Sequence, residues 1–449
     1  MKWKMVWIWV GAWALMVVGC GDDETPPAQE NNQEAEEIED LIDVELRQLS
    51  VDGVGQQRPG ASTHPAISAE GDYVVYATRG TWLEGSDNGL LDVVGRSVSD
   101  VEDQALISVD EDGQAAVEGG QGSSQPAVDG DGEKVVFSST AYLNIEDPIS
   151  QIYRYHRGEG STEIVSVDDQ GLVARAPTAA PTISDDGHIV AFESGWDLVG
   201  DGADHGLRTQ IYVYDERDEE MRRASNNLED GAAMEGEAPV IQSRRPQISG
   251  DGRVVVFESN ATDLVDEAMS GRDQVYRYEV DSGELQWISR PQQGSGDGHS
   301  RRAATNEDGS VIALISEVNL VDPEASGSYH LFPTLYVYDV DGDRWERPTD
   351  GGGIERYGRS AVSADGRFVA LEGEIGGINH IFWHDRHRER SLKLSQTAEG
   401  EAADGHNRRP SMSADGRRVV WESEATNLVE GGSMEQADIV MADVTWDDE

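Results

Sequence analysis

Arginine recurs at one fixed offset in four consecutive copies of a repeated phrase in this 449-residue chain. The residue four before the first polar position of each copy is, in order, His64, Gln125, Ala180, Arg245, Arg302, Arg359 and Arg409. Guanidinium forks suit carboxylate and phosphate oxygens, so the series predicts a place where an anionic ligand or an acidic peptide terminus docks. His64 and Gln125 extend the candidate set with neutral donors and acceptors. Arg244, Arg301 and Arg408 stand beside three of the four arginines. The same residues could instead neutralise the acidic loops around them.

A second chemistry is offered by hard oxygen donors on a glycine-rich turn, GSDNGLLD (residues 85–92). Asp87, Asn88 and Asp92 would suit Ca²⁺, although the closing glutamate of an EF-hand loop is absent. Asp201, Asp204, Asp263, Asp266 and Asp273 fall in comparable loops, and a solvated acidic turn explains all of them as well. His380, His384 and His387 form the one histidine cluster, without the carboxylate pattern of a metal site. No Gly-x-Ser-x-Gly elbow, His-Glu-x-x-His or phosphate loop is found.

These residues are carried by a repeat. ISAEGDYVVYAT, VDGDGEKVVFSS, ISDDGHIVAFES, ISGDGRVVVFES, TNEDGSVIALIS, VSADGRFVALEG and MSADGRRVVWES share a Ser-x-Asp-Gly turn and an apolar run. Their glycines lie at 71, 132, 187, 252, 309, 366 and 416, a period of 50 to 65 residues. Strand chemistry at that period means a β-propeller or an array. Asp-Gly suits a tight hairpin, and the Asp is a turn former rather than a catalytic acid. The apolar residues are successive, not alternate, as in a strand covered on both faces by neighbouring blades. Tyr-rich third strands (QIYRY, QIYVY, QVYRY, LYVY) and fourth strands ending in LISV or IVSV complete four-stranded blades. The seventh repeat stops after its third strand, while QLSVDG (residues 48–53) has the fourth-strand pattern. The N-terminal strand is therefore expected to complete the last blade of an all-β, seven-bladed propeller. The long B–C and D–A connections, such as 260–272, 317–334, 226–244 and 291–301, gather on one face, where binding loops are expected.

The Ser-x-Asp-Gly-Arg-x-Val-x-Phe pair, followed by ATDLV (261–265) or ATNLV (425–429), resembles the TolB-type, WD-like propeller repeat. The resemblance covers residues 43–449 and implies the fold; it is unspecific for activity. The repeats here number seven, where TolB pairs a six-bladed propeller with an α/β domain.

Residues 1–20 read as an export signal: Lys2 and Lys4, an apolar run and VVGC ending at Cys20. VVGC resembles a lipobox, which implies a lipidated Cys20 and, with Gly21 rather than Asp following, an outer-membrane lipoprotein. Cys20 is the sole cysteine, so no disulfide closes the fold. Residues 21–42 are acidic, polar and proline-bearing, the composition of a disordered tether. The chain carries a net charge of −52, which disfavours nucleic acid and anionic lipid surfaces as partners. The sequence thus predicts a monomeric envelope lipoprotein, held to the membrane by its lipid alone. Its expected work is non-catalytic binding of a protein or peptide through the long-loop face, with Ca²⁺ as the only cofactor candidate. The alternative is an envelope enzyme of the polysaccharide lyase, glycan or peptide hydrolase type, with its site at the channel mouth.

Overall fold

A computed structural model describes residues 2–4, 42–57, 59–116, 120–143, 149–200, 208–228, 231, 241–266, 271–291, 298–321, 329–348, 353–429 and 436–446. The apolar signal run, Cys20, tether residues 21–41 and Asp201 and Asp204 lie outside them, while Ile42, read as the tether's last residue, belongs to a strand. Among the described residues are seven antiparallel sheets. Blades 1 to 6 span 62–106, 123–164, 178–223, 243–287, 300–346 and 356–393, each four strands (A to D) in sequence order. Blade 7 takes strands A to C from Asn407–Met412, Arg418–Ser423 and Asp438–Trp446, and strand D from Ile42–Gln48. Lys2–Lys4 adds a short fifth strand to that edge, one that a chain processed at Cys20 would lack.

The predicted double cover of the B strands is explicit in the packing. Seven apolar clusters fill the seven seams between blades. Along Val254–Ser259, Val255 and Phe257 point into the cluster shared with blade 3, while Val254 and Val256 enter the one shared with blade 5. Period-two alternation combined with two buried faces leaves no polar position in the middle of the strand.

The Ser-x-Asp-Gly phrase builds the A–B turn. Ser249 Oγ donates to Asp251 Oδ1 (2.7 Å) and accepts the N–H of Val254 (3.0 Å), while Asp251 Oδ1 accepts the N–H of Arg253 (3.0 Å). Residues 184–189, 363–368 and 413–418 repeat this. The turns also bond to one another. The x residue or its successor in each turn donates its backbone N–H to the next blade: Glu70 to Gly130, Gly130 to Asp185, Asp185 to Gly250, Asp251 to Glu307, Glu307 to Ala364, Ala364 to Ala414 and Ala414 to Ala69. A closed belt of inter-blade hydrogen bonds thus rims the narrow end of the propeller.

The glycine of the turn meets two demands at once. Gly309 sits at φ 71°, and a Cβ there would lie 2.5 Å from Val254 Cγ2 in the preceding blade. Gly309→Ala combines left-handed backbone strain with overpacking, so it should cost about 2–4 kcal/mol in a denaturant titration. A cost under about 0.5 kcal/mol would mean that the seam does not constrain the turn.

Ring closure follows the predicted route. Ser50 Oγ donates to Asp438 Oδ1 (2.8 Å) and accepts the Ile439 N–H (3.1 Å), as Ser166 does with Gln151 and Ile152 in blade 2. Asp52 then caps its loop through the N–H groups of Val54 and Gln56, as Asp168 does with Gln170 and Leu172.

The B–C and D–A connections lie on the opposite face from the A–B turns, with two departures from the expected lengths. In blade 5 part of 317–334 is strand, because Val311–Val318 and Tyr329–Asp339 pair as an extended hairpin. In blade 6 the B–C connection is only Gly376–Gly377, between paired Ile375 and Ile378.

Candidate functional site: an arginine-lined central channel

The A strands line the axis, and all of them change register midway. In blade 4 Arg244 pairs with Glu258 and Gln247 with Val256, so Arg245 and Pro246 together face one residue. This is a β-bulge, which redirects the strand and re-aims a side chain. Its first residue takes a left-handed conformation in six blades: His64 (φ 54°), Gln125 (54°), Ala180 (51°), Arg245 (51°), Arg302 (57°) and Arg409 (55°). Left-handed backbone at a non-glycine residue is strained and recurs where structure serves binding. Proline follows at positions 65, 126, 181, 246 and 410, where the bulge asks for no N–H.

The bulges bring every candidate of the series together. His64, Gln125, Ala180, Arg245, Arg302, Arg359 and Arg409 line one cavity of about 480 Å³, within the usual range of ligand sites. Arg301 and Arg408 diverge from it towards loop carboxylates, while Arg244 lines it and also reaches one. Arg244 reaches Asp273 (2.9 Å), Arg301 reaches the same Asp273 (2.6 Å) and Arg408 reaches Glu424 (2.7 Å).

Four glutamates that sequence reasoning did not single out complete the site. Glu193, Glu258, Glu372 and Glu422 occupy the same place in the B strands of blades 3, 4, 6 and 7. Three of them hold the next blade's bulge by accepting its backbone N–H: Glu193 from Arg245 (3.2 Å), Glu258 from Arg302 (2.6 Å) and Glu372 from Arg409 (3.3 Å). Gln125 does the same for Ala180 (3.0 Å). The signal was present in the recurring Glu of FES, LEG and WES. Its role depends on the neighbouring blade, which no single repeat contains.

The glutamates neutralise only part of the arginine arc. Glu258, wholly buried, takes Arg245 Nη1 at 2.9 Å, and Glu422 takes Arg409 Nη1 at 2.6 Å. In blade 5 the equivalent position is Ile315, so the carboxylate that pairs Arg245 and Arg409 in their blades has no counterpart beside Arg302. In blade 6 the bulge falls one residue earlier, with Gly358 and Arg359 facing Glu372. A Cβ on Gly358 would lie 2.5 Å from Glu372 Cδ, so glycine lets that side chain fold over the backbone. Glu372 is thereby diverted to Asn379 Nδ2 (2.9 Å) and the Arg409 N–H. Among the described residues, the guanidinium groups of Arg302 and Arg359 have no ion-pair or hydrogen-bond partner.

The crowded positive charge acts on its neighbours. Enclosure, then the guanidinium groups of Arg409, Arg245 and Arg302, push Arg359 below its usual range. Burial, then Arg409 and Arg359, push His64 down to about 4, so its imidazole is neutral at pH 7. The channel wall is cationic on the side of blades 4 to 7 and neutral at His64, Gln125 and Ala180.

The narrow end carries the opposite sign. Asp185 and Glu307, from blades 3 and 5, share a side-chain hydrogen bond across Gly250 of blade 4, where any Cβ would overlap Glu307. Burial and then Asp185 push Glu307 up to about 7, and burial raises Asp185 as well. Because Glu307 keeps its proton when folded at pH values where the unfolded chain has lost it, its contribution is full below about 4.5 and fades as pH rises through 7. Glu307→Gln, which keeps a hydrogen-bond donor, should flatten the fall in melting temperature between pH 4.5 and 7.5. An unchanged slope would contradict a shared proton.

The other candidates lie elsewhere. Asn88 is engaged with Leu90 N–H (2.8 Å) and Ala116 O (3.0 Å). Asp92 is buried and accepts from Ser108 (3.0 Å), whereas Asp87 is exposed. Among the described residues no group of three or more His, Cys, Asp or Glu side chains is placed to hold a metal ion. His380 and His384 are buried against Ser395 (3.2 Å) and Ser391 (2.9 Å).

No family model matches the chain, and no curated relative matches it. Solved propellers do. The β-propeller domain of the Trilobed protease from Pyrococcus furiosus is 12% identical over 87% of this chain and 96% of that one, with a TM-score of 0.53. Oligogalacturonate lyase from Vibrio parahaemolyticus is 11% identical over 91% of this chain and 94% of that one, with a TM-score of 0.52. TolB from Acinetobacter baumannii is 16% identical over 73% of this chain, which spans 64% of that protein, with a TM-score of 0.41. At such identities the likeness is one of fold, the β-propeller, and this chain's own sheets number seven among the described residues.

Proposed function

We propose that this protein is a binding module whose central channel receives the carboxylate of a protein or peptide partner arriving at the long-loop face. The observation that carries the reading is the pair Arg302 and Arg359. They are two adjacent-blade guanidinium groups without an ion pair or hydrogen bond among the described residues, in a chain whose net charge is −52 and in which Arg245 and Arg409 are paired. Holding two like charges together costs free energy, and an incoming carboxylate or other small anion recovers it. Bidentate recognition across the pair would orient the ligand along the axis.

The address read from residues 1–20 supplies the setting: a lipid on Cys20 tethers the propeller to the outer membrane. Fatty-acid labelling of cells making the protein should mark it and fail to mark Cys20→Ser. Equal labelling of both would remove the anchor from this reading. The channel itself is tested by calorimetric titration of the purified protein with glutarate, a small dicarboxylate.

A further inference from the structure

Resting on that channel reading, we infer that the ligand is the free C-terminus of an extended polypeptide with apolar residues just before its carboxylate. The two unpaired cations stand on blades 5 and 6, and an apolar ledge lies on the loop side of the seam between these two blades. Ile354, Tyr357 and Ile375 pack there against the seam's core cluster while remaining partly exposed. Phe332, from the extended hairpin of blade 5, is 42% exposed, and the Arg356 guanidinium stacks on its ring at 5.5 Å.

The ledge leads into the channel by covalent continuity. Arg356–Val362 is a single strand, so Tyr357 stands two residues before Arg359 on it, at the start of the bulge. The two-residue Gly376–Gly377 turn keeps the blade 6 hairpin short beside this route, with Ile375 at its tip. An extended chain seated with its carboxylate on Arg302 and Arg359 therefore lays its preceding side chains on Tyr357, Ile354, Ile375 and Phe332.

Charge complementarity restricts the rest of the partner. The chain as a whole carries a net charge of −52, which favours a partner that brings little further negative charge than its terminal carboxylate. The body of the tail is neutral or basic, and it is read by apolar contact rather than by a second charge.

The test uses fluorescence anisotropy with an N-acetylated hexapeptide ending in Leu-Phe. It is compared with its C-terminal amide and with a version ending in Ser-Ser, beside the glutarate titration. The free acid ending in Leu-Phe should bind at least about tenfold more tightly than either control. Phe332→Ser and, independently, Ile375→Ser should abolish the preference for Leu-Phe while leaving glutarate binding unchanged. Glutarate binding without any advantage for Leu-Phe, or equal binding of acid and amide, would overturn the C-terminal assignment alone. Failure of both glutarate and the peptides would overturn the channel reading with it.

Discussion

Removal of residues 42–52 should leave a propeller that cannot close. This segment contributes strand D of blade 7, and Ile42, Val44, Leu46, Leu49 and Val51 are all buried. At about 1.5–3 kcal/mol for each fully buried aliphatic side chain, the five together approach the whole net stability of an ordinary domain, about 5–15 kcal/mol. The loss is also topological. Leu49 belongs to the cluster between blades 7 and 1, so the deletion strips the outer edge of one blade and opens the seam beside it. Unlike an internal strand, this one joins residues separated by nearly the full chain, with no disulfide to share the task. The truncated chain should lose its cooperative thermal transition and bind dyes that report exposed apolar surface. A milder form, Ser50→Ala, removes the hydrogen bonds to Asp438 and the Ile439 N–H and should cost about 1–3 kcal/mol. A cooperative transition in the deletion variant, within a few degrees of the parent, would show that blade 7 is held by other means.

The second large effect concerns binding rather than stability. Arg302→Ala with Arg359→Ala should abolish measurable carboxylate binding, since each charge-assisted contact is worth about 1.5–3 kcal/mol and the two act on one ligand. The same double variant should unfold at the same temperature as the parent or slightly above it. Neither guanidinium has a partner to lose among the described residues, and mutual repulsion with Arg245 and Arg409 is relieved. Arg301→Ala is the matched control. Arg301 precedes Arg302 on the same strand but does not line the channel, and Asp273 keeps Arg244 when it is lost, so carboxylate binding should persist with a small loss of stability. The separation of the two phenotypes follows from the bulge, which sends adjacent residues of one strand to different environments.

That separation marks the limit of what the sequence reveals. The blade count, the turn chemistry and the closing strand are legible because each is local. Ser249, Asp251 and Gly252 make their turn from contiguous residues, and the Ser50 and Asp52 pattern repeats that of Ser166 and Asp168. The positions of Arg245, Arg302, Arg359 and Arg409 are legible for the same reason. Their pairing is not. Whether an arginine is neutralised depends on the cross-strand residue (Glu258, Ile315, Glu372 or Glu422) and on where the bulge falls. In blade 6 a single glycine, Gly358, moves it by one residue. The Asp185–Glu307 pair is more hidden still. It joins the variable position of two turns that are 122 residues apart and meet only when blades 3 and 5 flank blade 4. The turn of Asn88 and Asp92 is likewise legible as a group of oxygen donors, whereas the uses of Asn88 Oδ1 on Leu90 N–H and Asp92 Oδ1 on Ser108 depend on the folded blade.

The most direct test of the account is one calorimetric titration of glutarate into the purified full-length protein, with the Arg302→Ala/Arg359→Ala variant in parallel. The account predicts a saturable heat at one ligand per chain in the parent, and none in the double variant at an unchanged melting temperature. Saturable binding that survives the double substitution would contradict an arginine-lined channel as the binding site.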